Sequence, residues 1–249
     1  TSAHIRFEDI PAGGALLIRN NRFGRIRGLN SNLEISNGTR PDPVAQVLEN
    51  TFTGAEWNAV AITGDALIAG NTFSDVAKDP AVLLPQIASA IDIRSLATPA
   101  TAHVIRNTFI AVDHAVSSSG SAGVIFENNT VASINLTYPD AQGSLQPGAV
   151  FNFHPDAAQT PSGAGVFIAD SVFGDVPQLF ARADLPPSPA QNLVLSHSLL
   201  SSTLAQTPIS QTRPISVTTL GAGNVIAAPY FKDPANANYQ LLPDSPAKS

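Results

Sequence analysis

Large apolar residues recur along this chain inside one short phrase, repeated seven times. The clearest copy is Val104-Ile105-Arg106-Asn107-Thr108-Phe109, and the others end at Phe23, Phe52, Phe73, Val131, Phe173 and Leu200. Aligned on that last residue, four columns form. Five positions earlier stand Ile18, Val47, Ile68, Val104, Phe126, Ile168 and Leu195; seven earlier stand Leu16, Ala45, Ala66, Ala102, Val124, Val166 and Leu193. Two earlier stand Asn21, Asn50, Asn71, Asn107 and Asn129, then Ser171 and Ser198; three later stand Ile26, Ala55, Val76, Val112, Ile134 and Val176, before a lapse at Thr203. The copies are 21 to 42 residues apart. Constant columns with elastic spacing predict a solenoid whose units bury their apolar residues only by stacking.

The columns also predict the local backbone. Two apolar residues at spacing two make one face of a strand. Asn then supplies a bend, since it tolerates left-handed backbone and its amide bonds the chain locally. Stacked coil on coil, identical Asn side chains form a hydrogen-bonded ladder, and the Phe beyond each one fills the interior. A second strand recurs between phrases, as Leu33-Glu34-Ile35, Val60-Ala61-Ile62, Ile91-Asp92-Ile93 and Phe151-Asn152-Phe153, with Phe180 and Ile215-Ser216-Val217 as continuations. Each alternates inward and outward. Leucine-rich repeats and propellers fit worse, because the 21 residues from Phe52 to Phe73 are too few for a four-stranded blade.

This arrangement resembles the right-handed parallel β-helix of the pectate-lyase-like superfamily, over roughly residues 5–242. The resemblance implies an all-β solenoid of about seven to nine coils, with an Asn ladder and a Phe stack at the turns. The tail, with Phe231-Lys232-Asp233-Pro234, Tyr239-Gln240-Leu241 and Ser245-Pro246-Ala247, is similar to the ending of bacterial secreted and surface β-helix proteins. The match stops at Ala247. The whole chain then reads as one domain: residues 1–14 as a cap or first coil, 15–226 as coils and 227–249 as a closing segment. Phe231, Tyr239, Leu241 and Leu242 are the residues to cover open strand edges.

Composition narrows the function. The net charge is −6, with only 13 Lys and Arg. That opposes nucleic-acid binding, which needs a basic footprint. Charged residues make up 13% of the chain, about half the usual share. Neither Cys nor Met occurs, so thiol chemistry is absent and the chain reads as part of a longer precursor. No stretch approaches the roughly 18 apolar residues of a membrane span. These features suit a secreted, periplasmic or cell-surface setting. Insertions at Lys78–Ala88, Asn135–Ala149 and His154–Gly163 carry the individuality of the coils.

Two functional readings follow. In lyases of the superfamily a groove lies on an outer sheet, and the resemblance implies that Asp92, Arg94 and His154, at outward positions of the second strand, serve there. The chemistry there needs neutralisation of a uronate acid group and a base for the sugar carbon proton, the roles these three residues would fill. Ca²⁺ enters only under that reading, and no dense carboxylate cluster or paired carboxylates of a hydrolase are present. A plain surface ion pair of Asp92 with Arg94 is the competing explanation. Asp113-His114 reads as a turn-capping pair. No His pair has metal-ligand spacing.

The other reading starts six positions before the Phe column, at Leu17, Gln46, Leu67, His103, Ile125, Phe167 and Val194. Five of these seven are large and apolar, namely Leu17, Leu67, Ile125, Phe167 and Val194. Such a stripe on an outer face marks a covered surface or an interface. It predicts a non-catalytic structural or binding subunit, docked on a protein partner, on another copy, or on polysaccharide.

Overall fold

The computed structural model describes residues 5–8, 10, 14–28, 30–36, 45–79, 88–94, 100–119, 122–135, 138–139, 145–154, 165–181, 192–201, 219–220, 222–236 and 238–248. They form a right-handed parallel β-helix with three parallel sheets. Each coil contributes one strand to each sheet, so every strand pairs with the strand three places on in a regular coil. The third coil is typical: Asn58–Thr63 lies in the first sheet, Ala66–Ala69 in the second and Thr72–Ser74 in the third. Seven coils carry all three strands, and an eighth adds Thr219–Leu220 and Val225–Ile226. The phrase supplies the second and third sheets, and the recurring strand between phrases supplies the first. The strand expected at Ile215–Val217 lies outside the described residues.

The phrase turns its corner in two residues. The first of them is left-handed in every coil: Asn20, Glu49, Gly70, Arg106, Asn128, Asp170, His197 and Gly223 have φ between 46° and 83°. The second is the ladder residue. The backbone N–H of Asn50 and its Nδ2 both donate to Oδ1 of Asn71, at 2.9 and 3.1 Å. The same Nδ2 donates back to the carbonyl of Ile18 in the preceding coil at 3.0 Å. Asn21, Asn71 and Asn107 repeat the double donation to the next rung. Asn50, Asn71, Asn107 and Asn129 are buried, so these bonds satisfy polar groups that water does not reach. Ser171 and Ser198 continue the column, each accepting a single bond from the preceding rung, at 3.2 Å from the N–H of Asn129 and of Ser171 respectively, and donating to the carbonyls of Ala169 and Ser196 at 2.9 and 2.8 Å. Asn224 is an eighth rung, accepting the N–H of Ser198 at 3.0 Å.

Inside, rings stack along the axis. Phe23, Phe52, Phe73 and Phe109 follow one another at 4.5, 5.0 and 5.2 Å between centroids, within 8° of parallel. Phe126 continues the stack to Phe173. Ile, Val and Ala of the other columns fill the rest of the core. The C-terminal hairpin, Phe231–Asp233 against Asn238–Leu241, is antiparallel. It folds back along the third sheet, where Phe231 reaches Gly174 in the sixth coil. A Cβ on Gly174 would stand 3.0 Å from that ring and 2.6 Å from the carbonyl of Ala132, so the close approach needs glycine.

Candidate functional site

The outer faces of the first two sheets differ in character, and strand register decides what each presents. Outward rows run across the first sheet. By register one runs through Arg6, Glu34, Ala61, Asp92, Ser117 and Asn152, of which Ala61, Ser117 and Asn152 are buried; the next runs through Glu8, Ser36, Thr63, Arg94 and Ser119, and its backbone register continues to His154. These rows are almost wholly polar.

Asp92 and Arg94 sit side by side there. Nε of Arg94 donates to Oδ2 of Asp92 at 2.8 Å, and the guanidinium approaches the same oxygen to 2.6 Å through a second nitrogen. Nδ2 of Asn58 donates to it as well, at 3.2 Å. Oδ2 of Asp92 therefore holds a guanidinium in place, which is the arrangement of a structural ion pair. Arg94 keeps 40% of its side chain exposed, whereas Asp92 keeps 14%. His154 lies in the row of Arg94 with Ser119 between them. Two strand spacings separate them, about 10 Å along the axis. Its side chain lies outside the described residues.

Sequence reasoning missed the neighbouring row. Asn58, Ser89, His114 and Ala149 stand opposite one another two residues before the first inward residue of each strand. All four are buried. The hydroxyls of Ser89 and Ser117 are in contact, and Asn152 donates to Ser117 at 3.4 Å. Nδ1 of His114 lies 3.3 Å from the carbonyl of Ala88. Aligning the copies on Val60, Ile91, Val116 and Phe151 exposes this column, but its residue types vary and mark no motif.

Asp113 precedes this row and caps two turns. It accepts the N–H of Lys78 at 2.7 Å and Nδ2 of Asn135 at 2.6 Å, at the threshold of two insertions. Burial pushes its carboxyl up from 3.8 to about 6, and those two hydrogen bonds and the Lys78 charge offset only part of the rise.

The second sheet is different. Leu17, Gln46, Leu67, His103, Ile125, Phe167 and Val194 stand in unbroken register across seven strands. All face outward. Leu17 is 56% and Phe167 38% exposed, while Leu67, Ile125 and Val194 are half-buried. A second outward row, Arg19, Leu48, Ala69, Ile105, Glu127, Ala169 and Ser196, runs beside it and adds apolar area at its centre. Gln46 and His103 interrupt the first row, so its contiguous apolar run is Ile125, Phe167 and Val194, on three neighbouring strands.

Among the described residues no group of three or more metal-ligating side chains converges, and no helix is long and apolar enough to cross a membrane. Comparison of the chain with family models, with curated proteins and with solved structures finds no match.

Proposed function

We propose that the chain is a non-catalytic β-helix subunit at the cell surface or outside the cell, docking onto a protein through the outer face of its second sheet. The observation that carries this reading is the register of Leu17, Leu67, Ile125, Phe167 and Val194 in one outward row. A parallel β-helix is rigid along its axis, so the row is presented without the ordering cost that a flexible surface would incur. Phe167, the aromatic of this row, is the natural anchor. The triple donation to Oδ2 of Asp92 supports the same reading, since that carboxylate is committed to holding Arg94.

A second reading, a polysaccharide lyase with Arg94 meeting an acidic sugar, draws on the partly exposed guanidinium in a polar row. The two separate in one experiment. Native material is sized by light scattering and incubated with a panel of uronate polymers, and unsaturated products are followed by ultraviolet absorbance. The docking reading expects an assembly that Phe167→Asp dissolves and no product. Product that disappears in Arg94→Ala, with the fold intact, would establish the lyase.

A further inference from the structure

The first coil lies at the edge of all three sheets, in Ile5–Glu8, Leu16–Arg19 and Arg22–Phe23. Among the described residues its inward side chains meet a neighbouring coil on one side only. Ile5 pairs in register with Leu33 on the inward face, yet it is 40% exposed where Leu33 is fully buried. Phe23 ends the ring stack. Phe52 covers one of its faces at 4.5 Å between centroids, and no ring among the described residues covers the other. A cavity of about 510 Å³ opens at this end of the bore, walled by Phe7, Ile18, Phe23, Ile26 and Leu33, with Asn32 among them. That volume falls within the usual range of small-ligand sites, roughly 300–1,000 Å³.

Asn32 is the polar exception in this wall. Register places it one residue before Leu33, in the column that Ala59, Ala90, Ala115 and Val150 fill in the next four coils. Those four are apolar and fully buried. Asn32 is as deeply placed, with 3% of its surface exposed. Its Nδ2 donates to the carbonyl of Gly24 at 2.8 Å. A carbonyl only accepts, so this bond fixes which end of the amide is which. Oδ1 is left buried with no hydrogen-bond partner. Such an acceptor is costly to leave unpaired, and its complement is an N–H or O–H brought in from outside. Gly24 follows Phe23 in the chain, so the unpaired oxygen and the uncovered ring face border the same space.

We infer that this cavity binds a small planar aromatic molecule carrying an N–H or O–H donor, of the phenol or indole class. The ring continues the near-parallel stack of Phe23, Phe52, Phe73 and Phe109 by one step. The donor meets Oδ1 of Asn32, and the aliphatic wall takes the ring edges. The inference is independent of the docking anchor Phe167, which lies five coils away.

The test is titration calorimetry of the full chain with three probes. Indole has a ring and a donor, benzofuran a near-isosteric ring without the donor, and cyclohexanol a donor without an aromatic face. Indole should bind roughly tenfold more tightly than benzofuran, and cyclohexanol more weakly than either. Asn32→Ala installs the residue that three other coils carry in this column, so the fold is kept. It should bring indole down to the affinity of benzofuran and leave benzofuran unchanged. This preference is a ratio within one protein, so a loss of stability does not mimic its disappearance. Phe23→Leu should weaken both rings, and Phe167→Asp should change neither. The inference is overturned if indole does not bind, if benzofuran or cyclohexanol binds as tightly, if Asn32→Ala keeps the preference, if Phe23→Leu leaves both affinities intact, or if Phe167→Asp removes binding.

Discussion

Phe126 and Val131 have exchanged roles within one coil. In the other stacked coils the ring comes from the third sheet, as Phe109 and Phe173 do, and the second sheet carries Ile, Val or Leu. In the fifth coil the third sheet has Val131, in register with Phe109 and Phe173. The ring comes instead from Phe126 on the second sheet, 5.9 Å from Phe109 and 6.3 Å from Phe173. The core volume is kept and the stack stays continuous. Phe126 also meets Phe151 edge-on at 5.1 Å.

The exchange predicts strong coupling. Phe126→Ile alone should cost about 2–4 kcal/mol by leaving a cavity. Val131→Phe alone should cost about 1–3 kcal/mol by overpacking. The double variant should lie within about 1.5 kcal/mol of the parent. Denaturant unfolding of all four proteins measures this. Additive losses would mean that the two positions do not share one space.

The ladder predicts opposite effects at two rungs. Asn71→Ala strands the Asn50 N–H and amide, which both end on Asn71 Oδ1, and should cost roughly 2–4 kcal/mol. Ser171→Asn offers an amide oxygen to both the N–H and the Nδ2 of Asn129, which now makes one bond of 3.2 Å to that rung, and should stabilise by about 1 kcal/mol. Thermal unfolding midpoints moving in opposite directions are the expected outcome. A destabilised Ser171→Asn would show that the sixth coil lacks room for the amide.

Much of this fold was legible because the ladder and the strand columns obey local rules. The register of seven coils follows from aligning Asn and Phe, and so does the outward row from Leu17 to Val194. The eighth rung was not legible. Leu220 pairs with Leu195 and Ile226 with Leu200, so six positions separate them where every earlier coil has five. The extra residue, in the turn that contains Gly223, hides Asn224 from a fixed-spacing alignment. The place of Phe231 against Gly174 was also hidden, because it depends on contact between segments distant in sequence. The buried row of Asn58, Ser89 and His114 escaped for a different reason: its residues share a place and no chemistry.

Asp113 gives a pH dependence. Its folded pKa is raised to about 6 from 3.8, so the folded state binds the proton more tightly than the unfolded chain. Its contribution is fully present below about pH 4 and is lost as pH rises through about 6, a change of about 3 kcal/mol. Asp113→Asn should remove that component. Denaturant midpoints between about pH 4 and 7 should then differ in slope between the two proteins. Parallel curves would mean that Asp113 titrates normally.

The first coil is tied to the second by arginines. Arg6 meets Glu34 at 3.7 Å, Arg19 meets Glu49 at 2.8 Å, and Arg25 and Arg27 share Glu56. Most of these side chains are exposed, so each pair contributes no more than about 1 kcal/mol and is screened by salt. In about 1 M salt, where screening acts within about 3 Å, amide hydrogen exchange at Leu17 and Ile18 should quicken while that at Ile91 and Val104 stays unchanged. Uniform change along the solenoid would rule out a separately tethered first coil.

The most direct test of the docking face is the molar mass of native material in solution, measured by light scattering for the parent and for Phe167→Asp. The face predicts a species heavier than the 25.9 kDa chain, reduced to that mass by the single substitution while the unfolding midpoint is kept. A parent that already runs as the single chain, or a variant that keeps the heavier mass, would contradict it.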